Sequence, residues 1–227
     1  GWTKSNIDNA LYFFRASTTD EYGGTYSTYV NGVSTDGASP VIASMQGFFI
    51  HVSGSTYPVT GTLGLDNSVR LATLSPSLVK SEEKAPSGIL KLTAAFADDP
   101  LYSDPAVVYF DGKAGSGFDP RLDALKLMNT DYYVPNLYSL GSDGKKLSIN
   151  ALPEFTDTLN VIPLGLKLDI DGDIIFRLAS LPEEMNGTRI YFHDRLTGVE
   201  IEMSEGSEYR VRLDPGEYPG RFFLNLR

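Results

Sequence analysis

The sequence of 227 residues contains no cysteine, so disulfide bonds and thiolate metal sites are excluded. Only two histidines are present, His51 and His193, and a zinc site would need carboxylates to complete it. No apolar run approaches the roughly 18 residues that a membrane-spanning helix needs, and we expect no membrane span. Positive charge is scarce too, because 19 Lys and Arg residues against 29 Asp and Glu residues leave a net charge of −10. Without a basic cluster, we expect no nucleic-acid partner.

Helical periodicity is almost missing, and short runs of β-branched and aromatic residues dominate instead. Gly, Asp-Gly, Asn-Gly and Pro separate these runs, as turn residues do between strands. A hydrophobic content of 41% and a charged content of 21% are typical of a globular protein, and the length suits two domains. The sequence therefore predicts an all-β protein with two β-sandwich domains.

The C-terminal domain is predicted over residues 146–227, where about seven short strands follow one another within roughly 80 residues. These strands are KLSINAL, VIPLGLKLDI, DIIFRLASL, TRIYFHD, VEIEM, EYRVRL and RFFLNL. Their number and spacing indicate a seven-stranded sandwich of the immunoglobulin or fibronectin type III kind.

The N-terminal domain is predicted over residues 1–140, and its longer, more aromatic strands suggest a jelly-roll-like sandwich. The predicted strands are ALYFF, TYSTYV, MQGFFIHVS, GTLGL, SVRLATL, ILKLTAAF and AVVYFDG. The segment YSLGSDGKK, residues 138–146, is predicted as a hinge between the two sandwiches.

The segment LKLDIDGDIIFRL places aspartates at alternate positions around a glycine: Asp169, Asp171, Asp173 and Gly172. An EF-hand counted from Asp169 needs Gly at its sixth position and a carboxylate at its twelfth, where the chain has Ile174 and Ser180. The apolar alternation instead predicts a β-hairpin with a three-residue loop that pairs Leu168 with Phe176. A calcium ion at this turn stays open as an alternative.

Catalytic groups are sparse. No Gly-x-Ser-x-Gly elbow accompanies either histidine, so catalysis by histidine is not expected. Glycoside hydrolysis needs only two carboxyl groups, and three acidic pairs lie in predicted loops: Asp98-Asp99, Glu82-Glu83 and Glu183-Glu184. Adjacent acids on loops are usually solvated, whereas a hydrolase needs one carboxyl group buried. We therefore predict no enzymatic activity and keep a glycan-acting hydrolase with paired carboxylates as the alternative.

Six aspartates fall within 26 residues around the segment YSDPAVVYFDGKAGSGFDPRLDA. Loops rich in oxygen atoms can hold calcium, which takes six to eight oxygen ligands in irregular geometry. Turn formation and helix capping also explain each aspartate separately. We expect no cofactor and keep structural calcium as an alternative, with these candidate ligands: Asp98, Asp99, Asp104, Asp111, Asp119 and Asp123.

The segment DEYGGTYSTYVNG mixes tyrosines with short polar side chains. Sugars present flat C–H faces to aromatic rings and hydroxyl groups to amides and carboxylates, so this mixture suits a saccharide-binding surface. The alternative is a tyrosine-rich strand with one buried face. The candidate ligand-binding residues are Tyr22, Tyr26, Tyr29 and Asn31.

Six segments in order resemble one family: GWTKSNIDNALYFF, YVNGVSTDGAS with MQGFFIHVS, AVVYFDGKAGSGFDPRLDALKL, PNLYSLGSDGKKLSINALP, VIPLGLKLD, and IYFHDRLTGVEIEM with RFFLNL. Over nearly the whole chain they are similar to the large C-terminal β-region of secreted and surface proteins that Bacteroidetes export through the type IX pathway. Two usual parts of that region, an Asn-Pro-Tyr-Pro stretch and a sorting tail, are not in this sequence. We therefore expect an excised or processed piece, and it stays open that the first sandwich lacks an N-terminal strand.

The resemblance implies a non-catalytic, β-rich module of a multidomain protein that is extracellular or displayed on the outer-membrane surface. Its expected role is adhesion, binding or spacing, and its expected partners are a glycan or cell-surface partner and the neighbouring domains. The resemblance carries no catalytic residues over to this chain.

Overall fold

The computed structural model describes residues 2–18, 20–54, 56–71, 88–154, 160–181, 185 and 187–227. These residues form sixteen β-strands and one short 3-10 helix, Asn67–Val69, which confirms the predicted all-β class. The strands are β1 Trp2–Ser5, β2 Leu11–Ala16, β3 Gly24–Val30, β4 Val33–Ser34, β5 Thr62–Leu65, β6 Leu90–Phe96, β7 Ser103–Phe110, β8 Ala124–Leu125, β9 Asn136–Leu140, β10 Lys146–Leu152, β11 Asn160–Leu168, β12 Gly172–Ser180, β13 Ile190–Asp194, β14 Val199–Met203, β15 Glu208–Leu213 and β16 Gly216–Leu226. Among these residues, no helix has the length and apolar character to cross a membrane.

Eleven strands form one large sheet in the order β14-β13-β16-β11-β9-β10-β7-β6-β12-β15, with β8 paired to β10 beside this path. Strands β7 and β10 run parallel, and the other neighbours run antiparallel. The sheet takes strands from both sides of the predicted domain boundary. The predicted hinge, 138–146, is the end of β9, a tight turn and the start of β10, so it is a β-hairpin inside this sheet.

The large sheet closes on itself as a sandwich with one main core. Phe176 of β12, near one end of the sheet, lies 4.8 Å from the ring of Phe192 of β13 and 4.7 Å from that of Phe222 of β16, near the other end. Burial of these apolar side chains is the main force that brings the two ends together. The coarse prediction of packed β-sheets therefore holds.

The hairpin predicted around Gly172 is wrong, although its two strands exist. Strand β11 pairs with β9 and β16, whereas β12 pairs with β6 and β15, so residues 169–171 carry the chain from one half of the sandwich to the other. The same-face residues Leu168 and Phe176 are both buried in the main core, but from opposite sides. The alternation of apolar residues specifies which face of a strand is buried, but it does not specify which strand lies beside it.

A second layer packs on the outer face of the large sheet. Strands β2, β3 and β4 form a three-stranded sheet, and β1 and β5 form a separate pair. Tyr12 of β2 and Val30 of β3 share a second apolar cluster with Val107 and Tyr109 of β7. Because successive residues of a strand point to opposite faces, β7 contributes Ala106 and Val108 to the main core, and Val107 and Tyr109 to the second cluster.

The two edges of the large sheet, β14 and β15, carry charged side chains at alternate positions. In β14 these are Glu200 and Glu202, and in β15 they are Glu208, Arg210 and Arg212; all five residues are exposed.

Asp194 joins the two ends of the sandwich. This buried carboxylate at the end of β13 accepts two hydrogen bonds from the Arg221 guanidinium, at 2.9 and 2.8 Å, and one from the Tyr209 hydroxyl of β15 at 3.1 Å. Burial by itself would raise the pKa of Asp194, but Arg221, the Leu196 N–H and Tyr209 together lower it to about 2.

We predict that Asp194→Asn lowers the free energy of unfolding at pH 7 by about 3–5 kcal/mol, because Arg221 loses its buried counter-charge. A depressed pKa stabilises the fold above the unfolded value of 3.8 and loses this effect as pH falls towards about 2. Between pH 5 and pH 2, the free energy of unfolding of the wild type should therefore fall by on the order of 2 kcal/mol more than that of the variant. Urea unfolding of both proteins at several pH values measures this difference.

The matched control is Glu208→Gln, which removes one partner of the exposed ion pair with Arg177. Its cost should stay below about 1 kcal/mol. A gap between wild type and Asp194→Asn that is equal at pH 7 and pH 2 would contradict the assigned pKa.

Candidate functional site

A cleft of about 830 Å³ opens on the outer side of the large sheet, next to its β15 edge. Four segments surround it: the turn between β6 and β7, the loop between β8 and β9, the link from β11 to β12, and β15. Its volume is within the range of small-molecule sites, which are concave and carry a few placed polar groups.

Two exposed tyrosines line the cleft from different segments. Tyr102, in the β6–β7 turn, is 52% exposed, and Tyr133, in the β8–β9 loop, is 54% exposed. The ring of Tyr132 packs beside that of Tyr133, with centroids 4.2 Å apart and an angle of 39° between the planes. Large aromatic side chains left open to solvent in a concave site are available for stacking on a ligand.

The charged lining of the cleft is mostly acidic, with five aspartates against two arginines: Asp98, Asp99, Asp131, Asp171, Asp173, Arg210 and Arg212. Arg212 is already engaged by Asp171 at 2.5 Å and Asp173 at 3.8 Å. The side chains of Arg210, Asp98 and Asp99 make no hydrogen bond or ion pair within the described part of the chain. The cleft therefore offers free polar groups of both signs beside its tyrosines, in a field that is negative overall.

The loop that carries Tyr133 is held at its base by side-chain amides. Asn129 and Asn136 bridge this base, because the Asn129 N–H donates to the Asn136 side-chain oxygen at 2.6 Å. The Asn129 side chain also accepts from the Tyr26 N–H of β3 at 2.9 Å and donates to Asp104 at 2.9 Å. Within the loop, Asp131 accepts from the Tyr133 N–H at 3.1 Å. These bonds place the tyrosine wall of the cleft relative to both sheets.

Asp104 is the buried centre of this network. Its carboxylate contacts the Lys126 ammonium, 2.6 Å from one oxygen, and accepts from the Leu137 N–H at 2.7 Å. Both charged side chains are almost fully buried, at 2% and 3% exposed. Burial raises the pKa of Asp104, whereas Lys126 and the hydrogen bonds from Asn129 and Leu137 act in the opposite direction.

The other predicted calcium ligands occupy separate turns. Asp111 accepts from the Lys113 N–H at 2.8 Å, and Asp119 binds the Arg121 side chain at 2.7 Å. Asp123 accepts from the Asp119 N–H and the Ala151 N–H, each at 2.6 Å, and burial raises its pKa to about 6.

The six predicted aspartates are thus dispersed, apart from the adjacent Asp98 and Asp99 in the cleft and the contact between Asp119 and Asp123. Across the part of the chain that the structure describes, no three acidic or histidine side chains converge as metal ligands do. Of the acidic pairs, Glu82-Glu83 and Glu183-Glu184 lie outside the described residues.

The predicted saccharide-binding residues do not share one surface. Tyr22 is 83% exposed, but Tyr26 packs its ring on Phe14, with centroids 5.1 Å apart. Tyr29 is half-buried and has the opposite parity to Tyr26 on β3, so it points to the other face. Asn31 is in a turn with a positive φ of 46° and bonds the Arg121 carbonyl and the Asn9 amide.

The histidines do not form a triad. Asp8 is the central residue of its group, because one oxygen contacts His51 Nδ1 at 2.7 Å and the other accepts from the Ser53 hydroxyl. A Ser-His-Asp triad requires the histidine in the middle. His193 lies on β13 and packs on Phe223, with ring centroids 6.0 Å apart.

The sequence prediction missed most of the cleft. It named Asp98, Asp99, Asp171 and Asp173, as candidate acidic or calcium-binding groups, and left out Tyr102, Tyr133 and Arg210. The sequence Asp-Tyr-Tyr at 131–133 could have indicated the tyrosines of the cleft, because it places two aromatic rings next to a turn-forming aspartate in a loop.

Comparison with family models matches residues 1–226 to a family described as "Domain of unknown function (DUF8693)". The chain belongs to this family. No curated protein and no solved structure matches the chain.

We predict that Asp104→Asn lowers the free energy of unfolding by about 3–5 kcal/mol, because Lys126 loses its buried counter-charge. The double variant Asp104→Asn with Lys126→Met should cost less than the sum of the two single changes, because neither charge is then left alone. Urea unfolding measures all three variants. Asp111→Asn, in an open turn, is the control and should change stability by less than about 1 kcal/mol. Strictly additive costs would show that Asp104 and Lys126 do not stabilise each other.

Proposed function

We propose that this chain is a non-catalytic, extracellular binding module that holds a glycan in the cleft. The observation that carries the proposal is the pairing of exposed Tyr102 and Tyr133 with the free polar side chains of Asp98, Asp99 and Arg210 in one concave site. Tyrosine rings bind the C–H face of a sugar, and carboxylates and guanidinium groups bind its hydroxyls.

The charge of the cleft favours neutral sugars. The acidic excess repels sulfated and uronate-rich chains, and this repulsion is strongest at low ionic strength. A neutral glycan avoids this repulsion, and its hydroxyl groups donate to the free carboxylates.

The proposed setting comes from the resemblance to the C-terminal β-region of type IX exported proteins of Bacteroidetes. It supports a module of a larger secreted protein, placed outside the cell or on the outer-membrane surface, and a role in adhesion. The finer fold classes, a jelly-roll-like sandwich and an immunoglobulin-like sandwich, stay predictions. The boundary predicted between residues 1–140 and 146–227 does not divide the structure, because one sheet and one main core take strands from both sides. A module that only spaces its neighbouring domains would share this setting and bind no glycan.

A glycan-acting hydrolase is the second candidate, because several carboxyl groups line a concave site. Four of the five cleft aspartates are exposed, and the buried Asp131 is engaged as a turn acceptor. A hydrolase needs one carboxyl group shielded from water, so this arrangement favours binding over hydrolysis. Release of new reducing ends from a bound glycan, abolished by Asp99→Asn or Asp131→Asn, would establish the hydrolase instead.

The test is a glycan array probed with the protein in calcium and again in chelator, followed by titration calorimetry with the glycans that bind. We expect neutral glycans to bind, and Tyr102→Ala and Tyr133→Ala each to weaken the affinity at least about fivefold, which corresponds to roughly 1 kcal/mol. Binding lost in chelator would show that calcium takes part.

The matched control is Leu101→Ala. Leu101 is 89% exposed and adjoins Tyr102 in the same turn, but it does not line the cleft, so its removal should leave the affinity unchanged. Thermal unfolding checks that each variant is folded. A blank array in both conditions would overturn the proposal and favour a spacer.

A further inference from the structure

The aromatic surface at the cleft does not end with the residues that line it. Tyr132 stands beside Tyr133 on the outer side of the same loop and is 40% exposed. The neighbouring Tyr133 phenol is the main cause that raises the pKa of the Tyr132 phenol. Because the rings of Tyr132 and Tyr133 pack together, Tyr132 extends the aromatic surface beyond the lining of the cleft.

The turn that contains Asp20 and Tyr22 is joined to the cleft loop by backbone contacts. The Tyr22 carbonyl accepts from the Thr130 hydroxyl at 3.3 Å, and the N–H groups of Thr130 and Asp131 both donate to the Gly24 carbonyl, at 2.9 and 3.1 Å. The Tyr22 N–H in turn donates to the Asp20 carboxylate at 3.0 Å. These bonds fix the most exposed tyrosine of this region next to the loop that carries the Tyr132–Tyr133 pair.

Exposed rings from three segments therefore belong to neighbouring parts of the surface: Tyr102 and Tyr133 line the cleft, Tyr132 packs on Tyr133, and Tyr22 is in the turn bonded to their loop. Binding to these rings costs little backbone entropy, because hydrogen bonds already hold the turn of Tyr22 and the loop of Tyr132 and Tyr133. A monosaccharide or disaccharide in the cleft leaves the outer rings unused, whereas a longer chain can stack on them.

We propose that Tyr132 and Tyr22 form outer subsites that continue from the cleft, so that the ligand is a linear glycan chain of several sugar units. This inference rests on the proposed function and specifies its ligand class. Short neutral glycans bind through Tyr102 and Tyr133 alone, and longer chains gain affinity from the outer rings.

The experiment is titration calorimetry with neutral β-1,4-linked gluco-, manno- and xylo-oligosaccharides of two and six units, on the complete chain. With the series that binds, we expect the hexamer to bind more than about tenfold tighter than the dimer. This gain exceeds the statistical one that arises because a hexamer can place any of several of its sugar pairs in the cleft. Tyr22→Ala and Tyr132→Ala should remove most of this gain and leave the dimer affinity within about twofold of wild type.

Three comparisons make the result decisive. Tyr133→Ala should weaken dimer and hexamer alike, because this ring lines the cleft itself. Tyr22→Phe and Tyr132→Phe keep the rings and should retain the hexamer affinity, which separates stacking from hydroxyl bonding. Leu101→Ala should change neither affinity.

The two levels of the hypothesis fail in different ways. Equal affinities for dimer and hexamer, or equal losses for both lengths in Tyr22→Ala, would overturn the outer subsites while the cleft remains a glycan site. If none of the three series binds and the glycan array is blank, the proposed function is overturned and the subsites with it.

Discussion

The structure depends on a strand that is buried on both faces. In β7, Val108 packs in the main core, and its neighbours Val107 and Tyr109 pack in the second cluster against β2 and β3. Burial of both faces removes the freedom that an outer sheet normally has to slide over its partner. The second sheet is fixed further because the Tyr12 hydroxyl of β2 accepts from the Leu125 N–H of β8 at 2.9 Å.

This two-sided burial explains why the cleft can have a rigid wall made of a loop. The loop between β8 and β9 lies where the two layers meet, and it donates hydrogen bonds to the Gly24 carbonyl of β3 and to the Asp104 carboxylate of β7. A loop on a single sheet would be held only where it joins its two flanking strands. Here, polar contacts to both layers hold the tyrosines of the loop in place, while their rings remain open to solvent.

Much of the fold could be predicted from the sequence, because the alternation of apolar and polar residues within a strand depends only on neighbouring residues. The alternation in β11 and β12 specifies which side chains are buried, and the structure buries Leu168 and Phe176 accordingly. The choice of partner strand is not local. Strand β11 pairs with β16 and β12 pairs with β15, because burying the same apolar faces in a shared core fits the alternation as well as a hairpin between β11 and β12 would. The segment MQGFFIHVS was predicted as a strand, yet within it only isolated bridges form, at Phe49 and Val52.

The site was less predictable, because its residues come from distant parts of the chain. Tyr102, Tyr133 and Arg210 meet only after the sheet order β7-β6-β12-β15 is established, and nothing local indicates that order. Aspartate is ambiguous as well, since the same residue type closes turns, as at Asp111, and neutralises a buried lysine, as at Asp104. Tyr22 was selected from its polar surroundings, and the structure exposes it, while Tyr26 in the same segment is used for packing.

The charged side chains on the edge strands β14 and β15 affect whether copies of the protein can pair along these edges. An edge strand presents unpaired N–H and C=O groups along its outer side, and these can template the addition of a foreign strand. Glu200 and Glu202 make the approach of a second β14 costly, since like charges would then face one another, whereas β15 carries both signs through Glu208, Arg210 and Arg212. The β14 edge is thereby protected from pairing with the same edge of another copy.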